Sequence, residues 1–166
     1  NKKKNISINI NSEYILDKKN KPKKLIIKYT KINSIEKFQF DIDLSEYEII
    51  VDEINFNKKS SEEFFLETKI KKNKKMYIIE NFKVSGKNNK FNFKNIKIGK
   101  NFKVNDFQLI QAKYLTKNNF INDIKIQKKN NIIKLVSKNL DVGVNIENSL
   151  KGTNKKNFFD IFENLN

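Results

Sequence analysis

Apolar residues recur at every second position through most of this chain. Ile6, Ile8 and Ile10 begin the pattern, and Leu25, Ile27 and Tyr29 resume it after a polar stretch, Lys18 to Lys24, that holds the single proline, Pro22. Phe38, Phe40, Ile42 and Leu44 form the cleanest run, with Gln39, Asp41 and Asp43 at the intervening positions. Ile49 and Val51, then Ile54 and Phe56, continue it. After the Lys/Ser/Glu stretch Lys58 to Glu63 come Phe64, Leu66 and Ile70, then Met76 to Glu80, Phe82 and Val84. Phe91 and Phe93, Ile96 and Ile98, Phe102 and Val104, Phe107 and Leu109, Ile124 and Ile126, and Ile133 and Leu135 complete the series. A period of two puts alternate side chains on one face of a strand, and Ile and Phe suit a pleated, half-buried surface.

The polar breaks read as turns. Lys71 to Lys75, Ser85 to Asn89, Gly99 to Asn101 and Lys128 to Asn131 separate the alternating runs at roughly ten-residue spacing, the signature of antiparallel, meandering β structure. One apolar face per strand leaves the other polar and solvated. The expectation is therefore a mainly β fold: an extended or curled antiparallel sheet, segment 1–143, with an apolar concave face. Beyond Asp141-Val142-Gly143 the spacing changes. Val144, Ile146 and Leu150, then Phe158, Phe159, Ile161, Phe162 and Leu165 behind a capping Asn157, predict a short helical element over 144–166. The chain starts at Asn1 and stops inside that predicted helix, so it reads as a segment of a larger protein.

Composition changes the picture in two ways. Hydrophobic residues make up 37% of the chain, which suits a thin apolar layer under a large solvated surface better than a thick core. The formal net charge is +16, which suggests a polyanion such as nucleic acid or anionic lipid. Every basic residue, however, is Lys. Arg is absent, although its planar fork is the usual choice for bidentate phosphate and guanine contacts. Abundant Asn, Ile, Lys and Phe with scarce Ala, Gly and Pro also fit an AT-rich coding bias.

Candidate chemistry is sparse. Histidine and cysteine are absent, which removes Ser-His, Cys-His, thiolate and zinc arrangements from this segment. The four glycines, 86, 99, 143 and 152, are isolated and make no phosphate loop. Asp41 and Asp43 share a strand face but read as solvation balanced by lysine. No catalytic residue, metal site or cofactor is expected, and the chain reads as not an enzyme. No apolar run reaches the roughly 18 residues of a membrane-spanning helix.

Several stretches resemble the AsmA-like superfamily, the TamB- and YhdP-type bacterial envelope proteins. They are Phe82-Lys-Val-Ser-Gly-Lys, Phe91-Asn-Phe-Lys-Asn-Ile-Lys-Ile-Gly, Val104-Asn-Asp-Phe, and Ile133-Lys-Leu-Val-Ser-Lys-Asn-Leu-Asp-Val-Gly-Val144 ahead of Lys151-Gly152. The resemblance spans about residues 76–152. It implies a long curled β-sheet with an apolar groove and no catalytic residues. It also implies a place in the periplasm of a double-membraned bacterium, with an inner-membrane anchor outside this segment and a part in phospholipid transport or outer-membrane biogenesis.

The groove expected from alternation comprises Phe38, Phe40, Ile42, Leu44, Phe91, Phe93, Ile96, Ile98, Phe107, Leu109, Ile124 and Ile126, all on one side of the sheet and facing phospholipid or another acyl-chain lipid. Two other readings stay open: a basic nucleic-acid-binding β module, and a purely structural domain whose apolar face is fully packed.

Overall fold

The structure is a computed structural model that describes residues 5–15, 21–74, 76–141 and 143. The helical element expected over 144–166 lies outside the described residues.

Twelve strands follow in order: β1 Asn5–Tyr14, β2 Lys23–Ile32, β3 Ile35–Asp43, β4 Ile49–Val51, β5 Phe56–Lys58, β6 Phe64–Lys72, β7 Met76–Gly86, β8 Lys90–Gly99, β9 Val104–Asp106, β10 Leu109–Leu115, β11 Ile121–Lys129 and β12 Ile132–Asn139. Ten of them form one open antiparallel sheet, ordered β1-β2-β3-β6-β7-β8-β10-β11-β12, with short β9 paired to β8. Several turns sit where the polar breaks predict them. Asn130 and Asn131 both take positive φ, 50° and 62°, the two-residue hairpin geometry that asparagine tolerates.

The register aligns apolar residues in rows that cross the sheet. One row reads Ile10, Ile27, Phe40, Thr68, Phe82, Phe93, Ile110, Ile126 and Leu135. A second reads Leu25, Ile42, Leu66, Val84, Phe91, Ala112 and Ile124. Thr68, buried within the first row, satisfies its hydroxyl by donating to the Asn81 carbonyl at 3.1 Å.

Strict alternation cannot place both Phe91/Phe93 and Ile96/Ile98 on one face, because their parities differ. The sheet resolves this with irregularities. The β6–β7 register shifts between Lys69 and Ile70, leaving Glu80 as an extra residue, and Asn95 on β8 adopts a φ of 51°. Beyond these points Ile79, Ile96 and Ile98 join the same apolar cluster as Val84 and Phe91. A bulge of this kind shifts which residues point to each face.

Leu109 goes the other way. It pairs with Lys94 and Gln127, whereas its neighbour Ile110 pairs with Phe93 and Ile126. Leu109 therefore lies on the polar face, and Ile110 takes the apolar position expected for it. Phe107 is buried on the apolar side, but Gln108 between them is an irregular residue, its amide bonded to the Lys94 carbonyl at 3.1 Å. The single intervening residue thus does not preserve the face.

The run Ile49 to Phe56 does not continue the sheet. β4 and β5 make a separate two-stranded pair joined by a 3-10 turn at Asp52–Ile54. This excursion between β3 and β6 folds over the apolar face, where Leu44, Ile49, Val51, Ile54 and Phe56 join the core formed by β6–β8, β10 and β11. Phe56 is 2% exposed. Its ring lies 6.1 Å from Phe64, 5.5 Å edge-on from Phe91 and 5.8 Å edge-on from Tyr114. Backbone contacts tie the excursion to the β10–β11 turn: Phe56 bridges Thr116, and the Lys117 amide donates to the Asn55 carbonyl at 2.9 Å.

Truncating Phe56 removes the ring that joins this cover to the sheet. Phe56→Ala should destabilise the protein by about 3–5 kcal/mol, the usual cost of emptying a buried aromatic site. Ile8→Ala on the exposed β1 should cost far less, and denaturant unfolding of both variants checks the contrast.

Candidate functional site

The cover divides the expected groove residues into groups. Phe91, Ile96, Phe107, Ile124 and Ile126 are buried beneath or beside it, and Leu44, Phe93 and Ile98 pack against them. Phe38, Phe40 and Ile42 on β3 lie on the same apolar face but outside that cluster, half-buried. Leu109 is on the opposite face. The twelve residues are therefore not one open surface. Eight belong to a core, and the β3 set belongs to an apolar strip that the cover does not reach.

That strip continues onto β1 and β2 residues that the expected groove did not include. Register places Tyr29 opposite Phe38, Ile27 opposite Phe40 and Leu25 opposite Ile42. On β1 it adds Ile8 beside Tyr29 and Ile10 beside Ile27. Tyr29 and Phe38 have ring centroids 4.9 Å apart, and Phe38 and Phe40 stack with parallel rings at 6.2 Å. Ile6, Ile8 and Ile10 remain 43%, 46% and 45% exposed. The β1 and β2 residues carried the alternation signal; what singles them out is their pairing beside β3, which one strand's pattern does not contain. At the far edge, Ile133 and Leu135 of β12 are likewise exposed at 41% and 44%.

The rim between strip and cover is polar and tightly bonded. Lys58 opens the Lys/Ser/Glu stretch that interrupts the alternation, yet it is fully buried. Its ammonium donates to the carbonyls of Leu44 at 3.0 Å, Tyr47 at 2.7 Å and Ser45. Burial pushes its pKa down, against the opposing pull of Glu62 and Asp43. The carbonyls supply the hydrogen bonds that a buried charge requires. Asp43, at the end of β3, accepts from the Ser45 amide at 2.9 Å and hydroxyl at 2.5 Å, and Lys23 bridges it and Glu46. Tyr14 donates to the Asp43 carbonyl and stacks on Tyr47 at 6.2 Å. Burial, with Tyr47 and Asp43, pushes the Tyr14 pKa up to about 12.

These carboxylates are engaged in local structure. Asp41 accepts from the Gln39 amide at 3.2 Å. Among the described residues no group of three His, Cys, Asp or Glu side chains could hold a metal ion, and no helix is long and apolar enough to cross a membrane. The arrangement anchors the loop that borders the strip. Comparison with protein-family models, curated proteins and solved structures finds no match to this chain.

Asp43 gives this rim a pH dependence. Burial alone would raise its pKa, but the Ser45 hydroxyl and amide, with Lys23 and Lys58, hold it below the ordinary carboxylate value of 3.8. A depressed folded-state pKa means that the folded protein binds fewer protons than the unfolded chain, so the stabilisation is present above the ordinary value and lost as pH falls through the folded one. Stability should decline on that acid limb, and Asp43→Asn should flatten it. Asp106, lowered by its hydrogen bond to Lys97, retains its own share. Denaturant titrations across the acid range read both effects.

Proposed function

We propose that this chain is a non-catalytic segment of a bacterial cell-envelope protein of AsmA-like type. In this reading it holds phospholipid acyl chains in phospholipid transport or outer-membrane biogenesis. The apolar face is the concave side of a curled sheet, and the uncovered strip on β1–β3 is the floor of the groove. The parent protein would sit in the periplasm, held to the inner membrane by a region outside this segment.

The observation that supports this reading is the strip itself: Ile8, Ile10, Ile27, Tyr29, Phe38 and Phe40 contiguous on one face, with the cover ending short of them. Monomeric proteins rarely leave a contiguous apolar surface to water without a use for it. The contiguous rows across β1–β3 suit an extended acyl chain, whose burial needs area and water exclusion and no directional partner. The residue pattern that resembles the AsmA-like superfamily supplies the class of protein.

Two substitutions separate a lipid-bearing strip from a packed core. Phe40→Asp lies outside the core, so it should melt close to the parent protein while losing photo-crosslinking to phospholipid from a benzophenone residue at position 38. Phe93→Asp would bury a carboxylate against Phe82 and Phe91, whose rings lie 5.1 Å and 6.3 Å away, and it should fail to fold. A Phe40→Asp protein that folds and crosslinks as before would overturn the lipid assignment.

A further inference from the structure

The polar face has its own order, independent of what lies on the apolar side. A row across it reads Asp41, Glu67, Lys83, Asn92, Gln111 and Lys125. The neighbouring rows bring Lys90 directly opposite Lys113, Lys94 opposite Leu109, and Gln127 opposite Lys134. Carboxylates gather on β3 and β6, as Asp41, Asp43 and Glu67, where they offset Lys28 and Lys69 of the row that also holds Lys94. On β8, β10, β11 and β12 the same rows hold Lys90, Lys94, Lys113, Lys125 and Lys134 against Asp123. Coding bias explains how many lysines the chain has; it does not explain this partition.

All five lysines are exposed. Among the described residues none of them forms an ion pair; the nearby pairs use Lys83 with Glu67, and Lys97 and Lys128 with Asp106. Strands lie about 4.8 Å apart, so adjacent charges fall within the screening length of about 8 Å at physiological salt. Like charges directly opposed across strands, as at Lys90 and Lys113, destabilise a sheet. An external layer of negative charge would relieve that repulsion.

The geometry points to an anionic phospholipid bilayer surface as the partner of this face. The charges are ammonium points rather than guanidinium forks, and the lysines alternate with the amides of Asn92, Gln111 and Gln127, which donate to phosphate oxygens. No aromatic side chain occupies these rows on β8–β12, so there is no platform on which single-stranded bases could stack. The lysines stand on a sheet face and not on a projecting helix or ribbon, so they do not enter a duplex groove. A broad sheet face carrying unpaired cations meets a plane of headgroup phosphates edge to edge.

The test is co-sedimentation of the full chain with vesicles of phosphatidylcholine alone and of phosphatidylcholine mixed with phosphatidylglycerol. The protein should bind only the mixed vesicles and release as salt rises. Replacing Lys90, Lys94, Lys113, Lys125 and Lys134 by Gln should lower partitioning by about five-fold per lysine. A control of equal charge change at turn residues off that face, Lys59, Lys74, Lys87, Lys100 and Lys103 to Gln, should retain most of it. Because the chain has no cysteine, a second measurement needs no loss of lysine. A spin label on Gln111→Cys should become shielded from an aqueous relaxation agent when mixed vesicles are added, and one on Lys100→Cys should not. Equal losses in the two lysine variants, equal shielding of the two labels, or binding to duplex DNA without binding to mixed vesicles would each overturn the proposal.

Discussion

Phe56, inserted among the rings of Phe64, Phe91 and Tyr114, makes this sheet into a folded protein. A single antiparallel layer has an apolar face and nothing to bury it against, and apart from the short 3-10 turn at Asp52–Ile54 no helix among the described residues packs over it. The chain supplies a cover from its own length, the excursion between β3 and β6. Lys58 fastens that cover from within. Its buried ammonium holds three carbonyls of the segment 44–47, and each of those bonds would otherwise be made to water. The core therefore sits over β6–β11, while β1–β3 lie beyond the cover and keep an apolar strip unpacked.

Sheet pairing carries the two faces to different ends. Every β2–β3 or β8–β10 pairing fixes both faces at once, so the rows that assemble Ile27, Phe40 and Phe93 on one side also assemble Lys83, Gln111 and Lys125 on the other. Charge segregation on the polar face is thus tied to apolar contiguity on the opposite face, and a one-residue slip would exchange them. The irregularities at Glu80 and Asn95 do locally what a slip would do globally. They change parity in β7 and β8 and draw Ile79, Ile96 and Ile98 into the core.

Edge strands matter for the same reason. β12 exposes Ile132 and Val136 as well as Ile133 and Leu135, so it is apolar on both faces, while Lys134 and Lys138 stand among them. Lysine on an edge strand opposes uncontrolled pairing. Here it also closes the basic field of the polar face, so one residue type answers two constraints.

The alternation of Ile and Phe with Asn, Lys and Asp determined from sequence alone that the chain is a mainly β, antiparallel structure. The Asn- and Lys-rich breaks located several of its turns, because a period of two and left-handed asparagine are local properties of the backbone, but not those at Asn33–Ser34 and after Leu115. Local pattern also placed Phe38, Phe40 and Ile42 together. It misplaced Leu109, since one irregular residue at Gln108 reverses a face without leaving a mark in the apolar spacing. It gave no sign that Lys58 is buried, because burial of an ammonium depends on three carbonyls brought to it by a loop. Only tertiary structure decided which apolar residues are core and which are surface. Alternation states which side chains share a face, whereas the cover over that face comes from residues distant along the chain, positioned by long-range packing.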